Sequence, residues 1–134
     1  MRLYCKKCHV ELTEECELGS IYDYDENPGD RKPTVPEGNI IIFHEDKYQE
    51  YYTAGSNHPQ KRLVSTNGAF ALNPIDIIQE NIRSHGLDNG CCGSDGCDGF
   101  NRSCKCDNVI GTEWSDCWTP AEIRLEPLKV ELWS

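Results

Sequence analysis

The sequence predicts an α+β fold: a small antiparallel sheet carrying one helix, with a cysteine-rich lobe attached. Three observations predict it. Several short apolar or alternating runs, bounded by turn residues, read as strands. One segment carries start and stop signals for a helix. Six of the nine cysteines fall within residues 91–118, a stretch so short of aliphatic side chains that burial of its own surface cannot fold it.

Residues 1–134 are read as a single domain, with no repeat and no long Ser/Gly/Pro run to mark a second. Its expected parts are a knuckle at 3–10, an acidic loop at 19–38, sheet and helix at 39–86, the cysteine-rich lobe at 90–118 and C-terminal strands at 121–133. Leu, Ile, Val and Phe number 27 of 134. That proportion lies near the border of about one fifth below which charged chains tend to stay disordered. The core is therefore thin, and something besides hydrophobic packing must hold the chain.

Cys5-Lys6-Lys7-Cys8 is a C-x-x-C preceded by Leu3 and Tyr4. Two thiols at this spacing on a tight hairpin can grip one tetrahedral ion, which makes half a zinc site. With His9 the run also reads as the C-x-x-C-H of c-type haem attachment, but no export signal accompanies it. Residues 9–20 lack the amphipathic helix that a thioredoxin-like motif requires.

Residues 19–38, rich in Asp, Pro and Gly, read as an irregular acidic loop. Residues 39–43 (NIIIF) form an apolar β-branched run expected as a buried strand. A turn at 44–47 should return the chain into a second strand at 48–53, and residues 62–66 are a further strand candidate. The helix is predicted over 74–84. Asn73 can cap it, Pro74 fits its first position, Leu72 and Ile77 can form a hydrophobic staple, and Gly86 can stop it. Ile75, Ile78 and Ile82 would form its buried stripe. After the cysteines, residues 122–126 alternate in one phase and Leu128, Val130 and Leu132 in the other, which predicts a bulge or kink at Pro127.

With Cys16 set aside among its acidic neighbours, eight cysteines remain. The preferred partner of Cys5 and Cys8 is Cys104-Lys105-Cys106, because a zinc ribbon joins two knuckles from distant parts of a chain and C-x-C makes the tighter one. Cys91, Cys92 and Cys117 compete for that role or form a second site. Adjacent cysteines on extended backbone point to opposite sides, so Cys91 and Cys92 are not expected to share an ion. Cys97, set among Asp-Gly turns, is the weakest candidate ligand. One zinc ion is expected, with thiols enough for two. It would add about 10–16 kcal/mol of apparent binding free energy, comparable with the whole net stability of a small domain.

A catalytic zinc keeps an open position and recruits His, Asp or Glu, whereas an all-thiol site is closed. No H-E-x-x-H, phosphate loop or nucleophile elbow is present, and His9, His44, His58 and His85 read as ordinary surface or core histidines, His9 being the nearest to a ligand among them. The net charge of −10 argues against nucleic-acid partners, which are bound chiefly through Lys and Arg. Eight acids and no Lys or Arg lie between Glu11 and Asp30. Such a face suits a basic protein partner. With no apolar leader and no run of about 18 apolar residues, a soluble cytosolic protein is expected, with no membrane partner and with its thiols reduced.

Cys91-Cys92-Gly93, Asp98-Gly99, Asn101, Cys104-x-Cys106, Gly111-Thr112-Glu113 and Ser115-Asp116-Cys117-Trp118, together with the leading C-x-x-C and Val35-Pro36-Glu37-Gly38, resemble a signature of small uncharacterised bacterial proteins. The resemblance implies a one-domain bacterial cytosolic protein and brings no activity with it. The functional expectation is a non-catalytic interaction module with a structural zinc, of the acidic immunity-like kind. The alternatives are a thiol redox or metal-responsive protein, and a hydrolase whose site carries no recognised motif.

Overall fold

The computed structural model describes residues 1–86 and 90–134. Eleven strands appear in it: β1 Arg2–Cys5, β2 Glu17–Leu18, β3 Asn39–Ile42, β4 Lys47–Tyr51, β5 Gln60–Ser65, β6 Phe70–Leu72, β7 Ile82–Ser84, β8 Arg102–Cys104, β9 Val109–Trp114, β10 Glu122–Leu125 and β11 Val130–Trp133. Seven form one sheet in the order β2-β3-β6-β10-β9-β8-β7, while β1 pairs with β11 and β4 pairs with β5 in two separate ribbons. The long sheet is mixed, because β2 runs parallel to β3 and every other pair is antiparallel.

The continuous apolar run in β3 follows from burial on both faces, as expected for a strand inside a sheet. Ile40 and Ile42 pack with Leu72, Ile123, Leu125, Ile110, Leu3 and Val130 in the main core, and Ile41 and Phe43 join Val35 and Ala71 on the other face. Register keeps the two sets apart. Ile40, Leu72 and Ile123 are opposed across three strands, and so are Ile41, Ala71 and Arg124. On the second face the thin core is completed by charge. The Arg124 guanidinium sits 4.6 Å from the Phe43 ring centre and 4.9 Å from that of Trp114, and it pairs at 2.6 Å with Glu122. Thr34 and Tyr24 donate to the same carboxylate, so the buried pair is fully hydrogen-bonded.

The α+β expectation is overturned: the described residues contain three 3-10 turns of three residues each and no longer helix. At the predicted helix the local signals act as read, since Asn73 caps Ile75 N–H at 3.1 Å and Pro74 takes the first position. Propagation fails after one turn. Ile78 N–H donates to the Leu12 carbonyl, Glu14 N–H donates to that of Asp76, and Thr13 bridges Ile77, so residues 76–78 pair as a strand would. Those bonds use backbone groups that a helix needs for itself. The β-branched Ile75, Ile77, Ile78 and Ile82 favour that outcome, and Ile75 is solvent-exposed rather than core. The chain continues as a 3-10 turn at Gln79–Asn81 and then β7.

Two further expectations change. The strand after residue 47 pairs not with β3 but with β5. Pro127 begins a turn that sends β11 out of the long sheet to β1, which leaves Leu128 exposed. The zinc-ribbon-like lobe does not form as a unit either, because Cys104 ends β8 and Cys106 lies on the turn joining it to β9 within the main sheet, while Cys91, Cys92 and Cys117 gather elsewhere.

Candidate metal centres

Two turns of similar construction face one another. In the first, Cys5 N–H donates to the Val10 carbonyl and His9 N–H returns to Cys5; in the second, Cys104 N–H donates to Asn108 and Asp107 N–H returns to Cys104. Each turn closes through one residue of positive φ, His9 at 63° and Asp107 at 71°. Asp and His tolerate this left-handed conformation better than most residues. His9 thus has a backbone role, and none of the four histidines enters a donor group among the described residues.

The paired turns bring together the Sγ atoms of Cys5, Cys8, Cys104 and Cys106, all within 4.8 Å of one another. Cys5 lies 3.6 Å from Cys106 and Cys8 lies 3.4 Å from Cys104. A disulfide would need about 2.05 Å; tetrahedral thiolates at a Zn–S length of about 2.3 Å stand about 3.8 Å apart. The group can therefore hold a metal ion. Cys5 and Cys104 are fully buried against the main core, and Cys8 and Cys106 close the outer side.

The surroundings favour the thiolate of Cys5. Burial opposes ionisation of Cys5, but it is outweighed by the Asn108 side-chain N–H at 3.4 Å and by the backbone N–H groups of Cys8 and Lys7, which bring this thiol down to about 6. Burial pushes Cys104 and Cys106 up, so adjacent sulfurs hold protons that a cation would displace. Asn108 also donates to the Lys129 carbonyl at 3.1 Å, tying the second turn to the start of β11. Lys6, Lys7 and Lys105 stand exposed around the group and offset its negative charge.

The second group lies where residues 90–93 meet the turn after β9. Cys91, Cys92 and Cys117 form a triangle of sulfurs with sides of 3.4, 3.2 and 3.1 Å. Asp116 supplies a carboxylate oxygen 3.7 Å from Cys91 Sγ, and all four donors fall within 4.8 Å. The expectation that Cys91 and Cys92 point apart fails because residues 91–93 bend rather than extend, so strict alternation does not apply. Glycine permits that bend. A Cβ on Gly93 would stand 2.7 Å from the Ser115 carbonyl oxygen, and one on Gly90 would collide with the Gly93 carbonyl.

Within the triangle, contact with Cys117 and then Cys91 holds Cys92 below the usual thiol value, while contact with Cys92 and Cys91 pushes Cys117 up to about 12. Asp116 is held low by the Cys92 N–H at 2.8 Å and by the Cys117 N–H at 2.9 Å. Sequence reasoning missed Asp116, whose only signal is its place beside Cys117, and it missed Asn108 as well. Cys97 joins neither group and lies exposed beside Asp95. Cys16 is buried alone, with its Sγ 3.4 Å from the Glu14 carbonyl.

No helix among the described residues is long and apolar enough to cross a membrane. No protein-family model, curated protein or solved structure matches the chain.

Proposed function

We propose that the chain is a non-catalytic interaction module, tied together by a zinc ion at Cys5, Cys8, Cys104 and Cys106, whose acidic face docks a basic protein segment. The observation that carries this reading is the closed set of four sulfurs, two of them buried in the core. Four thiolates leave no open coordination position for a substrate, so the ion acts as a cross-link and not as a Lewis acid. The sulfur-rich donor set suits zinc over magnesium or calcium, which take oxygen.

The docking half of the reading is supported by the surface from β2 to the 3-10 turn at Ile21–Asp23. Glu14, Glu17, Asp23, Asp25 and Glu26 are exposed there, and Leu18, Ile21 and Tyr22 stand among them in solvent, Tyr22 almost wholly. Ser20 and Asp23 cap the turn reciprocally, which holds the aromatic in place. Exposed apolar anchors flanked along the chain by acidic side chains fit a partner rich in Lys or Arg, with charge steering the encounter. A small bacterial protein acting in an immunity-like manner would use such a face.

Elemental analysis of protein purified without added metal tests the staple, and absence of zinc would refute it. For the face, capture from a bacterial lysate at low salt should recover a basic protein that is lost at high salt and lost with Glu17→Lys/Tyr22→Ala. A clean null at low salt, or a partner indifferent to the double variant, would refute the docking assignment.

A further inference from the structure

We infer that Cys91, Cys92, Cys117 and Asp116 form a second metal site, which takes a thiophilic divalent ion of the zinc class and exchanges it with solvent. This goes beyond the staple and does not rest on it. Three thiols in mutual contact have no packing reason to meet here, since Cys91 and Cys92 are exposed and Cys117 only half-buried. At the first centre apolar neighbours surround the buried sulfurs; at the second, solvent does. Coordination explains the convergence that burial does not.

The donor geometry agrees. The sulfur separations fall about half an ångström short of the edges of a thiolate tetrahedron around zinc, and the Cys91 Sγ to Asp116 oxygen distance is close to the mixed S–O edge of about 3.5 Å. A small opening of the triangle would admit the ion. Asp116 is preset for the task, because its carboxylate accepts from the backbone N–H of Cys92 and of Cys117, and its own N–H donates to Thr119 Oγ1 at 3.1 Å. Ligands held by such second contacts bind without first being ordered. Arg31, whose N–H donates to the Thr119 carbonyl at 2.7 Å, brings a positive charge to the same turn.

Three sulfurs select a borderline-soft cation over magnesium or calcium. Each coordinating thiol releases its proton to the buffer, so uptake acidifies a weakly buffered solution. Exchange follows from exposure and from the single oxygen donor, which an incoming thiol or chelator can displace from a soft ion more readily than it can displace a fourth thiolate. The two centres are thus unequal. One is enclosed and structural; the other is open to solvent and replaceable.

Cadmium titration of the reduced, metal-free chain, followed by thiolate-to-metal charge-transfer absorbance and native mass spectrometry, tests the assignment. Two ions per chain are expected, and one in Cys92→Ser/Cys117→Ser with an unchanged far-UV spectrum. Asp116→Asn keeps an acceptor for the two backbone N–H groups but loses the charge; it should bind two ions yet surrender one to a chelator at least tenfold more readily than wild type. A single ion in wild type that persists in the double-serine variant overturns the second site. So does a second ion that persists in that variant, or an Asp116→Asn variant that matches wild type against the chelator. A single ion in wild type that vanishes in the double-serine variant keeps this site and refutes the staple instead.

Discussion

Cys8→Ser isolates the contribution of the first centre, because Cys8 is exposed and its loss creates no cavity in the core. Its sulfur faces that of Cys104 across 96 residues of chain. A cross-link closing a loop of about a hundred residues removes about 4.7 kcal/mol of unfolded-state entropy in the chain-entropy account. The apparent free energy of structural zinc is about 10–16 kcal/mol, so a damaged three-thiol site should cost about 5 kcal/mol or more. With a slope near 2 kcal/mol/M, the urea midpoint should fall by about 2 M or more. The control is Cys16→Ser, in which a hydroxyl keeps the Glu14 carbonyl as partner and about 1 kcal/mol is lost. Urea melts of zinc-loaded protein by tryptophan fluorescence read both. Equal midpoint shifts for the two variants, or a wild-type midpoint unmoved by chelator, would refute the cross-link.

Three other outcomes follow from the same structure. Arg124→Met leaves the Glu122 carboxylate, only 4% exposed, without its counter-charge and should cost about 3–5 kcal/mol, while Arg124→Met/Glu122→Gln should recover part of the loss; urea melts in which the double variant is no better would deny the pair its role. Burial, with Asp76 next in effect, pushes the Cys16 thiol from 9.0 up to about 11, so the folded chain holds a proton that the unfolded chain gives up. The stability this lends is complete below pH 9 and is lost as pH rises towards 11. Chelated wild type should therefore melt progressively earlier over that window, and Cys16→Ala should flatten the decline. Gly111→Ala would drive a Cβ into the Arg124 carbonyl across the β9–β10 pair and should cost about 1–3 kcal/mol by thermal melting; a neutral result would mean that the pair is looser than its register implies.

What sequence reading reached and what it missed divides by range. C-x-x-C and C-x-C each place two thiols on one turn, so each half of the first centre is a local property of its spacing. Their meeting depends on β1 lying beside β11 and on the β8–β9 hairpin, which no spacing encodes. The Asn73-Pro74 cap is likewise local and forms, but whether a helix grows from it is settled by residues 12–14, sixty positions earlier, which take the backbone bonds of 76–78. Alternation along an extended chain separates Cys91 from Cys92 only while the chain is extended, and Gly90 and Gly93 were the available sign that it is not. Asp116 carried no sign of its own beyond its place beside Cys117. Its carboxylate bonds local N–H groups and faces the sulfurs at once.

The first centre also ties a ribbon to the long sheet. β1 and β11 form a two-stranded ribbon outside the seven-stranded sheet, linked to it by Leu3 and Val130 in the core, by hydrogen bonds between residues 1–5 and residues 10–16, and by the turn at 127–129. A ribbon of four residue pairs is marginal by itself. The ion would clamp its end to the β8–β9 turn, beside the Lys6 N–H to Lys129 carbonyl bond. Removing metal under reducing conditions mild enough to keep the chain folded should therefore open the ribbon first. In hydrogen exchange with and without chelator, amides of residues 2–6 and 130–133 should lose at least tenfold in protection while those of β3, β6 and β10 change little, because local opening costs less than global unfolding. Uniform loss across all strands would show that the apo chain opens as one unit, and unchanged protection in the ribbon would show that no ion clamps it.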